Sequence, residues 1–135
     1  CLAIRAGAQF IGTNPDKTFP AEEGIVPGCG SLLAALEAAT DVQPIVIGKP
    51  ERAMFDTALH LLQAQAATTL MVGDRIDTDI DGARRAGLHT AMVLTGVSSA
   101  EEAANHNPPP DGVFADLPAL HEAWQRQQAA TQAEQ

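Results

Sequence analysis

Five short apolar runs punctuate this chain of 135 residues, at positions 8–12, 44–47, 70–72, 89–94 and 113–115, and a helix-compatible stretch follows each. Strands linked by single helices over short connections lie parallel, because antiparallel neighbours are joined by hairpins instead. The alternation predicts an α/β fold, a Rossmann-like doubly wound parallel sheet. The helices are expected at 31–39, from Pro50 to Leu62, at 79–86 closed by Gly87, and at 117–125. Ala53, Leu59, Leu61 and Leu62 give the second its apolar side, and a further short helix is capped by Ser98 ahead of Glu101 and Glu102. Residues 13–30, rich in Pro and Gly, read as a loop. Residues 1–7 read as the last turns of a helix ending at Gly7. With Cys1 in first place, they lead to the expectation that the chain starts inside a larger fold.

Charge narrows the partners. A formal net charge of −9 argues against nucleic acid or an anionic membrane. It would also repel an anionic substrate, unless a metal and local cations build a positive site within the acidic surface. Two cysteines, Cys1 and Cys29, are too few for a disulfide framework. No apolar run approaches membrane-spanning length. A soluble, cytoplasmic protein is the expectation.

The chemistry concentrates where the third strand ends. Gly73-Asp74-Arg75-Ile76-Asp77-Thr78-Asp79-Ile80 follows an apolar run and leads into a helix. Carboxylates crowded at the carboxyl end of a buried strand repel one another, and a hard cation such as Mg²⁺ relieves that repulsion. Ligands of open α/β sheets also bind at this edge. Asp74 is placed to point into the cleft, and Asp79 lies near the first helical turn, where the dipole favours its charge. A structural reading stays open beside this one, with Asp77 and Thr78 as caps and Asp79 and Asp81 as solvated first-turn acids. Lys49, one of only two lysines, sits in Gly48-Lys49-Pro50 between a strand end and a helix start, where backbone N–H groups favour an anion. On local grounds alone a surface lysine in a turn is the favoured reading. Asn14 and Asp16 likewise read as ordinary turn residues.

Taken in order, Thr13-Asn14-Pro15-Asp16, Pro27-Gly28-Cys29-Gly30, Gly48-Lys49-Pro50, Gly73-Asp74-Arg75 with Thr78-Asp79-Ile80, and Leu94-Thr95-Gly96-Val97 resemble a known family. They are similar to the carboxyl-terminal half of a haloacid dehalogenase (HAD) superfamily phosphatase. The branch is subfamily IIA, which includes nitrophenylphosphatases, phosphoglycolate phosphatases and UMP phosphatases. The resemblance implies a Mg²⁺-dependent phosphomonoester hydrolase acting on a small phosphorylated metabolite through an aspartyl-phosphate. By that resemblance Lys49 holds the transferring phosphoryl group, Asp74 completes the Mg²⁺ shell, and Asp79 orients the lysine and a metal-bound water. Asn14, Asp16 and Phe19 match the end of an inserted cap domain that helps set specificity. The implied division is 1–27 for the cap end and substrate loop, 28–126 for the carboxyl-terminal half of the HAD-like core, and 127–135 for a polar tail. A homodimer paired through the cap is a further implication.

The chain departs from the family where the nucleophile should be. The Asp-x-Asp-Gly-Thr segment is absent from these residues, since Asp77-Thr78-Asp79 and Asp79-Ile80-Asp81 both fall inside the acidic motif. The nucleophile is therefore expected upstream, the 135 residues alone are expected to be inactive, and the strand at 70–72 should present an unpaired edge. A non-catalytic HAD-like fragment that binds an anion or a partner is the alternative. The remaining expectations are structural. His60, His89, His106 and His121 lack ligand spacing, Trp124 anchors the last helix on the core, and the Gln/Ala-rich tail from Gln127 is frayed.

Overall fold

Parallel pairing is what the predicted runs adopt. The structure, a computed structural model, describes residues 1–133. It divides into two compact units, Cys1–Thr57 and a second beginning at Ala58.

In the first unit a short helix, α1 (Leu2–Arg5), precedes β1 (Ile11–Gly12). β1 pairs in parallel with β4 (Ile45–Val46), Ile11 facing Ile45. Ile45 N–H donates to Phe10 O at 2.7 Å and Ile47 N–H to Gly12 O at 3.0 Å, which carries the pairing past both ends. Between them lie a hairpin, β2 (Thr18–Ala21) and β3 (Gly24–Pro27), and the helix α2 (Cys29–Thr40). The hairpin corrects the loop expected over 13–30. Its strands pair antiparallel from Thr18 with Pro27 to Ala21 with Gly24, around the turn Glu22-Glu23. Both strands carry proline, and almost every residue is exposed, so no buried face imprints a period-two pattern. Gly24, at φ +131°, completes the turn where a side chain would be strained.

The helix α3 (Arg52–Leu62) begins two residues after Pro50, because residues 48–51 form a turn in which Glu51 N–H donates to Gly48 O. Its expected apolar side is also corrected. Phe55 is the buried residue, whereas Leu61 and Leu62 are 75% and 71% exposed.

The second unit carries β5 (Leu70–Gly73), α4 (Asp81–Arg85), β6 (His89–Val93), α5 (Ala100–Asn105), β7 (Gly112–Phe114) and α6 (Leu117–Ala133). The strands form one parallel sheet in the order β5-β6-β7. β6, central in it, is buried from Thr90 to Val93, as a strand covered on both faces must be. β5 is half-buried along its length and pairs only with β6 among the described residues. Ile80, Met92 and Ala103 form the core, with Ile76 against them. The buried Thr90 is satisfied by Asp111, whose Oδ2 accepts from Thr90 N at 2.8 Å and from its hydroxyl at 3.1 Å. These hydrogen bonds, led by the Thr90 backbone N–H, hold the Asp111 carboxyl below its usual range.

Boundaries in the second unit also differ from expectation. The helix expected at 79–86 opens earlier, as a π-helical turn over Ile76–Ile80 that runs into α4. Ser99, not Ser98, caps α5, in a capping box with Glu102. α6 continues through Ala133, so the tail is helical from Gln127 to Ala133, and residues 134–135 lie outside those described. Ala and Gln favour helix without needing an apolar face. Trp124 is 52% exposed and does not anchor α6 as expected. Among the described residues, no helix is long and apolar enough to cross a membrane.

Candidate functional site

The acidic turn is built by its own backbone. Where β5 ends, the chain enters the π-turn, in which Asp79 N–H and Ile80 N–H both donate to Arg75 O, at 3.0 and 3.2 Å. That turn swings the buried Asp79 side chain back, and its Oδ2 accepts from Asp74 N and Arg75 N, each at 3.1 Å. Gly73 permits the approach, since a Cβ there would lie 2.4 Å from Asp79 Oδ2. Asp79 is thus neither a solvated acid nor a conventional cap. Thr78 is not a cap either; it is buried inside the π-turn, whose start has no side-chain cap.

Asp74 is held from the other side. Its Oδ2 accepts from Val97 N at 2.9 Å, and its backbone carbonyl accepts from Ser98 N at 2.9 Å. Gly96 packs so closely that a Cβ would come within 1.9 Å of Asp74 Oδ2. Oδ1 takes no hydrogen bond from the described residues, so one oxygen is fixed while the other keeps its lone pairs. The other acids turn elsewhere. Asp77 is exposed, with Arg75 Nε 3.6 Å from its Oδ1, and Asp81 Oδ1 lies 2.8 Å from His106 Nε2. Among the described residues, no group of three or more His, Cys, Asp or Glu gathers to hold a metal.

In the first unit the Gly48-Lys49 turn lies against the Thr13-Asn14 loop. A Cβ on Gly48 would stand 1.8 Å from Thr13 O and 3.4 Å from Asn14 Cα. Asn14 Oδ1 accepts from Asp16 N at 3.1 Å, the local turn bond its residue type favours. Gly30 N–H donates to Asp16 O at 2.7 Å and Gly28 N–H to Lys17 O at 2.9 Å, seating the loop on the start of α2. The segments carrying Asn14, Asp16 and Lys49 are therefore brought together within this unit. Phe19 lies on the hairpin opposite Val26 and is 60% exposed. The Cys29 thiol is held below its usual range, chiefly by its hydrogen bond with the Thr13 hydroxyl, 3.4 Å away, and next by Asn14 backbone.

Sequence reasoning assigned no role to Gly96 or Val97, and it cast Ser98 as a helix cap rather than as a partner of the acidic turn. The signal available was the position of Thr95-Gly96-Val97 in the ordered motif set; nothing local linked it to Asp74.

The chain is similar to known proteins. The sequence model described as HAD-hydrolase-like matches residues 46–120, more than half the chain. The chain is 49% identical over 123 residues to a D-glycerol 3-phosphate phosphatase of Mycobacterium tuberculosis, covering 90% of this chain and 34% of that protein. It is 48% identical over 101 residues to the 5'-nucleotidase YutF of Bacillus subtilis, covering 75% of this chain and 40% of the relative. A crystal structure of the glycerol phosphate phosphatase of M. tuberculosis in complex with magnesium superposes with a TM-score of 0.79 at 48% identity, over 88% of this chain and 36% of that one. The p-nitrophenyl phosphatase of Archaeoglobus fulgidus superposes with a TM-score of 0.82 at 38% identity, over 90% and 49%. The chain spans about a third to a half of the length of these relatives.

Proposed function

The chain belongs to the HAD-hydrolase-like family, and from that premise we propose that it forms the carboxyl-terminal part of a phosphatase acting on a small phosphorylated metabolite. The observation that carries the proposal is the acidic turn. Asp79 spends its charge on two backbone N–H groups, and those bonds with the Val97 contact hold Asp74 with one carboxylate oxygen open. A single hard oxygen fits Mg²⁺ as one ligand, and the donor set of this turn supports no more than that. Asp74 would hold the metal, and the metal would supply charge to offset oxyanions during phosphoryl transfer. Phosphatase relatives, one solved with magnesium and also with calcium, support a divalent cation in that role.

Lys49 is assigned to the phosphoryl oxygens. Lys49 sits in a half-buried turn seated on Thr13, and a cation positioned before reaction stabilises developing charge better than a mobile one. Asp79 is assigned to orienting the site. Asn14, Asp16 and Phe19 are assigned to substrate preference, with residues 1–27 as the end of a cap and 28–126 as core. The hairpin's exposed Phe19 and Ile25 support the cap reading. The nucleophilic aspartate, attacking phosphorus to give an aspartyl-phosphate that water then hydrolyses, is assigned to residues outside these.

In the full-length protein, Lys49→Ala and Asp74→Asn should each lower p-nitrophenyl phosphate turnover by about 10²–10³-fold while leaving the unfolding curve in place. Near-normal turnover in both would overturn the assignment. The 135-residue chain alone should release no nitrophenol. Mg²⁺-dependent release that vanishes in its Asp74→Asn variant would show that no outside nucleophile is required.

A further inference from the structure

We propose that Ser98 is the positioning residue for the Asp74 carboxylate, which deepens and rests on the metal-ligand reading of Asp74. The geometry is reciprocal. Ser98 N–H donates to Asp74 O at 2.9 Å, while Ser98 Oγ accepts from Ile76 N at 3.1 Å. One residue thus grips the Asp74–Ile76 segment at both ends. Ile76 opens the π-turn, where backbone N–H groups have no partner within the helix, so the hydroxyl satisfies a donor that would otherwise go unpaired.

The neighbouring serine makes this a separate task from capping. Ser99 supplies the capping box of α5, accepting from Glu102 N and donating its own N–H to the Glu102 carboxylate. The Ser98 hydroxyl is not needed for α5, and it faces the acidic turn instead.

Gripping the segment places the residue before it. Val97 N–H meets Asp74 Oδ2 at 2.9 Å because Ser98 fixes the loop against the turn on either side of that contact. An aspartate otherwise rotates freely about its terminal torsion. With Oδ2 anchored, Oδ1 is presented in one direction. Removing the hydroxyl frees the Ile76 end of the clasp and loosens the Val97 contact. Partners that orient a metal ligand change metal affinity without touching the metal.

Mn²⁺ titration of the full-length protein, read by the loss of the free-ion EPR signal, tests this with no turnover involved. Ser98→Ala should raise the Mn²⁺ dissociation constant about tenfold, whereas Ser98→Thr, which keeps the hydroxyl, should stay within about threefold of the parent. Thermal unfolding in chelator should match between the parent and Ser98→Thr and stay cooperative in Ser98→Ala, lowered there only by the one unpaired Ile76 N–H. Asp74→Asn separates the two layers of the argument. If Asp74→Asn binds weakly but Ser98→Ala binds like the parent, the positioning role is overturned alone. Equal loss in Ser98→Ala and Ser98→Thr also overturns it, because the hydroxyl is then not the cause. If Asp74→Asn binds like the parent, the metal reading fails and takes the positioning role with it.

Discussion

The acidic turn after β5 and the junction around Gly48 are both tight polar loops at strand ends, yet they are held by opposite means. In the turn, a side chain bonds backbone: Asp79 Oδ2 reaches the N–H groups of Asp74 and Arg75, five and four residues back. At the junction, backbone packs on backbone across distant sequence, with no room for a Cβ between Gly48 and Thr13 O. The first arrangement tolerates adjustment, because a carboxylate can rotate. The second does not, because a carbonyl belongs to the chain itself.

Glycine substitutions should separate the two most widely. Gly48→Ala drives a Cβ to 1.8 Å from a backbone oxygen, and it should cost more than about 3 kcal/mol or prevent folding. Gly96→Ala meets the Asp74 side chain at 1.9 Å, which can swing aside. Its stability should stay within about 1 kcal/mol of the parent while Mn²⁺ binding is lost. Denaturant unfolding paired with Mn²⁺ titration reads both, and equal destabilisation by the two substitutions would break the comparison.

A smaller effect is expected within the turn. Asp79→Ala strips the acceptor from two backbone N–H groups beside a buried position, for about 2 kcal/mol. Asp79→Asn retains a carbonyl oxygen and should recover most of it. Urea midpoints decide the point, and an Ala variant as stable as the parent would mean that the N–H groups find water instead.

The smallest effect sharpens the comparison at a third place, the Thr90–Asp111 pair. Asp111→Ala should cost about 1 kcal/mol near neutrality, because the carboxylate is half exposed although Thr90 is not. The Thr90 hydrogen bonds lower the Asp111 pKa in the fold from the usual aspartate value of about 3.9. Its contribution is therefore fully present above that value and fades as pH falls through the lowered one. The gap between parent and variant should narrow progressively as the pH falls below about 4. A gap that shows no narrowing as the pH falls below about 4 would assign the effect to packing rather than charge.

These contrasts also explain what was legible. The carboxylate pair Asp74 and Asp79 could be read as a candidate site because spacing along one turn decides their relation. Thr78 was misread as a cap because the π-turn shifts the helix start from Asp79 back to Ile76. The α5 cap was misplaced by one residue, because Ser98 and Ser99 are chemically alike and only contact with Ile76 tells them apart. The hairpin at 18–27 escaped notice because strands without a buried face show no alternation. Trp124 was expected inside on size alone, yet half of it lies in solvent.

By itself, then, the sequence determined the alternation of strand and helix, the parallel sense that follows from it, and the gathering of Asp74 and Asp79 at one strand end. Each depends on residues within a turn or two of one another, where periodicity and neighbouring donors suffice. Only the tertiary structure decided that Val97 and Ser98 hold Asp74, that Gly48 seats on Thr13, and that Asp111 satisfies Thr90. Those partners lie about twenty or more residues apart. They meet only because strand register and close packing bring their loops together, and no local pattern carries that information.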